Sequence, residues 1–174
     1  MWFTLSMLFS FLPVLSPSEV FNTHLCNRRI EFVVPSLARK DFNEALKFWQ
    51  KQLPEVQMTI GQTGDSDATI VLVAFGVNPY DDPLAAFAWA YSLGPFEIDL
   101  RTGYQCHKRG FILLAPKLWR ESRKHRQEGI VHEIGHIIGF KNESTRLTVM
   151  ADKGWGFWRL SQEQREALAR VYPK

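Results

Sequence analysis

Apolar and polar positions along the chain change their period several times, and each change marks a predicted element. Residues 29–34 (RIEFVV) form a largely apolar, β-branched run stopped by Pro35, which reads as a strand. Over 37–53 the apolar positions Phe42, Leu46 and Trp49 recur at three- and four-residue spacing, predicting a helix that ends before Pro54. Residues 56–60 alternate as a strand. The run at 68–75 (ATIVLVAF) is continuously apolar, the pattern of a strand in the middle of a sheet and covered on both faces. Asn78, Pro79, Tyr80, Asp81, Asp82 and Pro83 then make a loop. From 85 to 91, Ala86, Ala88 and Ala90 alternate with Phe87, Trp89 and Tyr91, so this strand has one small face and one aromatic face. Strands are predicted at 96–100 and 110–114, and a long helix runs from about 116–118 to Ile138. This order predicts an α/β fold without repeats.

A chain of 174 residues has room for one buried core and not for two comfortable ones. With 45% hydrophobic and 22% charged residues it has the composition of a folded globular protein. The net charge of +3 asks for no nucleic-acid or membrane partner. Lys117, Arg120, Arg123, Lys124 and Arg126 at the start of the long helix read as a solvated face. Residues 1–15 are nearly all apolar and give way to Ser16, Pro17 and Ser18, as a signal peptide cleaved after Ser18 would, although no Lys or Arg precedes the apolar run. An amphipathic anchor or a first strand fits the same letters. Residues 19–174 then form the mature domain, expected to be secreted, monomeric and without a membrane span. Cys26 and Cys106 exclude a cysteine-only metal site; a disulfide and two buried thiols are both compatible with them.

Candidate chemistry lies at the end of the long helix, in Val131-His132-Glu133-Ile134-Gly135-His136. Histidines at i and i+4 stand on one helix face with Cβ atoms about 5–6 Å apart, which lets both imidazoles reach one ion at about 2.0–2.1 Å. Helical arithmetic sets His132 and His136 opposite the apolar stripe of Ile130, Ile134, Ile137 and Ile138, so the histidines are expected to face a cleft. Glu133 lies one step around, where its carboxylate can take a proton from a zinc-bound water while the metal polarises a peptide carbonyl. Gly139 is suited to the left-handed turn that ends a helix.

This segment resembles the metzincin signature His-Glu-x-x-His-x-x-Gly-x-x-His, and is most similar to the matrixins, the catalytic domains of matrix metalloproteinases. Met150 follows position 142 by eight residues, the matrixin distance from third ligand to Met-turn. The tail from Leu160 to Tyr172 is similar to the closing helix of that family, with Ser161 and Gln164 forming a capping box. The resemblance implies a twisted, mainly parallel five-stranded sheet on two long helices, with a small C-terminal subdomain from about 140. It implies Zn2+ held by His132, His136 and position 142, and a protein or peptide substrate lying antiparallel along 85–91, against Ala86, Ala88, Trp89 and Ala90. Trp155, Phe157 and Trp158 are expected either to wall a substrate pocket or to pack in the core.

Position 142 departs from the signature: it is Asn142, whose neutral amide oxygen is a weaker zinc ligand than imidazole. Glu143 and Asp152 are the alternative oxygens, and Asn142 ranks first because the register to Met150 is intact. No cysteine-switch segment, histidine-rich zinc loop or calcium loop is found, so His107 and His125 read as surface residues. The expected activity is therefore a zinc endopeptidase with Glu133 as base. A metzincin-fold binding module without turnover is the alternative.

Overall fold

The structure is a computed structural model that describes residues 21, 23–61, 67–76, 88–144, 147–151 and 158–174. The described chain runs β1 (His24–Leu25), β2 (Arg29–Val33), α1 (Arg39–Gln52), β3 (Gln57–Ile60), β4 (Thr69–Phe75), β5 (Ala88–Ile98), β6 (Gln105–Leu114), α2 (Arg123–Ile138) and α3 (Gln162–Val171). It is a mixed α/β fold built on a mostly parallel sheet. Strand order is β1-β6-β4-β2-β3, with every pair on that path parallel, and β5 pairs antiparallel with β6. The apolar run expected at the sheet centre does lie between β2 and β6. Its outer face is not fully covered, however: Leu72 is 46% exposed.

Two boundaries differ from expectation. Residues 85–91 and 96–100 were expected as separate strands, but 88–91 and 96–98 belong to the single strand β5, with a register shift between Leu93 and Phe96. The Gly94-Pro95 pair between them interrupts the ladder, because proline has no N–H to give, and local composition therefore reads as a strand end. The long helix likewise begins later than predicted. A 3-10 turn, Pro116–Arg120, precedes it, and the Ser122 side chain then caps α2 by accepting from the His125 N–H.

Helices α1 and α2 pack under one face of the sheet through Trp49, Phe42, Ile130, Ile134 and Ile137, all fully buried. Trp49 Nε1 donates to the Val131 carbonyl at 2.7 Å. At the solvent end of the same contact Asp41, 5% exposed, accepts from Arg123 Nε, Arg126 Nε and Gln127 Nε2 at 3.0–3.2 Å. Asp41→Ala strands these donors, although two of them can turn to water. The expected loss is about 2–3 kcal/mol, somewhat below the cost of breaking a fully buried pair, and a urea titration reads it directly.

Cys26 and Cys106 are joined, tying the chain after β1 to β6 across 80 residues of sequence. Next to this bridge, His107 is 0% exposed and not a surface residue as expected; His125 is on the surface. Desolvation pushes the His107 imidazole down to about 4, aided by neighbouring His24 and opposed by hydrogen bonds to the Ile137 and His24 backbones. A base whose folded pKa lies below its unfolded value binds fewer protons when folded, so stability falls as pH drops from about 6.5 toward about 4. From about pH 7 to about pH 5, His107 alone should cost the fold about 2 kcal/mol. In His107→Gln the slope of stability against pH should shrink by that amount; an unchanged slope would mean that the imidazole is not buried in its neutral form.

Candidate active site

The last turns of α2 carry the site. Residues 128–138 are buried apart from His136, so these last turns have no exposed stripe and the histidines do not simply look into open solvent: His132 is 7% exposed and His136 half-buried. The two rings stand edge to face, 4.7 Å apart. His132 Nδ1 lies 2.8 Å from the Val149 carbonyl, and His136 Nδ1 lies 2.8 Å from the Phe140 carbonyl. A carbonyl only accepts, so both neutral imidazoles carry their proton on Nδ1 and point an Nε2 lone pair away from it. Those two Nε2 atoms are 3.1 Å apart.

Lone pairs set this close repel unless something positive lies between them. Desolvation, reinforced by His136, lowers the His132 pKa to about 4 against the pull of its Val149 and Asn142 hydrogen bonds, so His132 itself does not supply the positive charge at neutral pH. A divalent ion would. Two imidazole nitrogens on one tetrahedral zinc at 2.0–2.1 Å are about 3.3–3.4 Å apart, close to the separation observed. The donor set fits zinc on this count, and each ring already has the backbone partner that sets its orientation.

Asn142, in the turn after α2, is close enough to the His132 ring to raise its pKa, so it lies in the neighbourhood of the two imidazoles. Glu143, the alternative oxygen, is engaged elsewhere: its Oε2 accepts from Thr148 Oγ1 at 3.0 Å, and its N–H donates to the Met150 carbonyl at 2.8 Å. Asp152, Trp155, Phe157 and Ala86 lie outside the described residues. Trp158 packs edge-on against Phe48. Among the described residues no group of three or more His, Cys, Asp and Glu side chains is arranged for a metal, so the converging donors are two imidazoles and one amide.

Met150 is fully buried beneath the histidines, its sulfur against Gly135, where any Cβ would collide with it. Gly135 between the two histidines is thus required by close packing. Gly139 closes the helix at φ 121°, and the Phe140 N–H reaches back to the Gly135 carbonyl at 3.0 Å. That turn is what presents the Phe140 carbonyl to His136.

Glu133 is 4% exposed, and burial pushes its carboxyl up to about 8 despite a hydrogen bond from the Ala90 backbone. Ala90 is opposite Ile112 in the ladder, and its N–H turns to Glu133 and not to β6. By the alternation of antiparallel pairs, Ala88 also presents its backbone to the outer edge. The small face of β5 therefore lies over α2, with Ala88 2% exposed, while Trp89 and Tyr91 take the opposite face. The orienting groups of Val149, Phe140 and Ala90 were not predicted, because backbone groups leave no mark in residue identity. No protein-family model matches this chain, and no curated protein matches it.

Proposed function

We propose that this chain is a zinc-dependent endopeptidase of the metzincin type. One observation carries the reading: two backbone-oriented imidazoles on consecutive turns converge to 3.1 Å, and the residue after the first of them is a buried carboxylate. His132, His136 and the Asn142 amide would hold the ion. Zinc in such a site polarises a carbonyl and lowers the pKa of a water toward neutrality.

The chain's own residues supply the remainder. Val149 and Phe140 fix the imidazoles. Glu133 accepts the proton of the attacking water and returns it to the departing amine nitrogen. Buried as it is, Glu133 ionises at neutral pH only with positive charge nearby, which ties its competence as a base to occupancy of the two-imidazole site. An extended peptide would add antiparallel to the outer edge of β5, its main chain pairing with the outward groups of Ala88. The Cys26–Cys106 bridge supports an oxidising compartment, and with it the reading of residues 1–18 as a signal peptide and of the domain as secreted.

The test is to purify the protein, count zinc per chain, and follow cleavage of a denatured protein before and after chelation and zinc restoration. Failure to take up near-stoichiometric zinc ends the proposal. A binding module without turnover is favoured by the neutral amide at position 142. It becomes the better account if zinc binds and Glu133→Ala leaves whatever cleavage is seen unchanged.

A further inference from the structure

Behind the site, three side chains from three elements close a hydrogen-bonded ring. His107 of β6 places Nδ1 3.1 Å from Thr23 Oγ1, just before β1; Thr23 Oγ1 donates to Ser92 Oγ of β5 at 3.4 Å; and Ser92 Oγ lies 3.4 Å from His107 Nε2. The two hydroxyls thus touch each other and one ring nitrogen each, while hydrogen bonds to the Ile137 and His24 backbones fix the orientation of the imidazole.

The ring is no second catalytic centre. His107 leans on a threonine hydroxyl where a serine nucleophile would need a carboxylate behind its histidine, and so desolvated an imidazole is a poor base. Its position indicates another role. Ser92 shares the small face of β5 with Ala90, about 7 Å away at two residues' rise. It also stands immediately before the register shift, where Gly94 and Pro95 have no ladder partner between the Leu93↔Arg109 and Phe96↔His107 pairs. At this weak point the ring supplies the tie that the ladder lacks. The same His107 is in polar contact with the Ile137 backbone, next to His136.

We propose that the Thr23–Ser92–His107 ring is a positioning device that holds edge strand β5 at a fixed height over α2 and, through the Ala90 N–H, aims the carboxylate of Glu133. The kinetic part of this rests on the peptidase reading; the structural part does not. The experiment is amide hydrogen exchange on the full-length zinc-loaded protein, with kinetics beside it. Ser92→Ala should speed exchange at Ala90 by about tenfold, the worth of one hydrogen bond, while Val131 and Ile134 in α2 keep their rates and zinc stoichiometry is unchanged. In the same variant kcat should fall about tenfold with KM nearly constant, since the base is displaced and the binding edge remains. Ser92→Thr, which retains a hydroxyl, should restore both. Thr23→Val gives the same exchange result without touching β5. Ala90 exchange at the wild-type rate in Ser92→Ala overturns the proposal, as does altered exchange with unaltered kcat. If the wild type cleaves no peptide, the exchange result still decides the ring, and the peptidase reading falls separately.

Discussion

Replacing Glu133 by glutamine is expected to lower kcat/KM on a peptide substrate by about 10²–10⁴-fold, the usual worth of a positioned general base, without loss of zinc. The argument is one of geometry. Glutamine has nearly the same shape, so it fits a position that is 4% exposed, and its amide oxygen can still accept from the Ala90 N–H. What it cannot do is take a proton. A neutral amide is also cheaper to bury than a carboxylate whose pKa burial has raised to about 8, so the fold should not suffer. Matched thermal melts and zinc counts isolate the chemical defect from a structural one. A variant that cleaves within tenfold of the wild type would remove Glu133 from the mechanism and leave the imidazole pair without a catalytic partner.

How much of this could be read from residues alone follows from the range of the forces involved. The spacing of His132 and His136 was legible because it is helical arithmetic, local to one turn. So was the Ser161–Gln164 capping box, observed with both reciprocal hydrogen bonds. The small and aromatic faces of 88–91 were also legible, since alternation on a strand needs no partner to be seen; which face meets α2 was not. His107 was misread for a long-range reason. Its burial depends on Thr23, 84 positions earlier in the chain, and on Ser92 across the ladder. A histidine in a stretch such as Gln105-Cys106-His107-Lys108 looks exposed by its neighbours' polarity. The start of α2 was placed too early because the apolar residues Leu118 and Trp119 extend the helical period through what is a 3-10 turn, and Ser122 was not weighed as a cap.

The second large effect concerns metal affinity. Structural zinc binding by four protein ligands amounts to about 10–16 kcal/mol, roughly 3 kcal/mol for each, so His132→Ala or His136→Ala should weaken zinc binding by about a hundredfold or more. His132 should be the costlier loss. It is the more deeply buried, and the turn that orients it, Thr148 to Ala151, is itself braced by the Met150 N–H on Thr148 Oγ1 at 3.2 Å and the Glu143 N–H on the Met150 carbonyl. Asn142 is the informative position because its two replacements move in opposite directions. Asn142→Ala deletes a neutral oxygen and should weaken binding by only about tenfold, whereas Asn142→His supplies the imidazole that zinc prefers and should tighten it by about tenfold or more. Asn142 is exposed and follows the Gly139 turn, so the larger ring meets little steric resistance. Competition titrations against a chelator of known affinity measure all four variants on one scale. Equal affinities for wild type, Asn142→Ala and Asn142→His would exclude residue 142 from the coordination sphere, and an undiminished affinity in His132→Ala would dissolve the clamp itself.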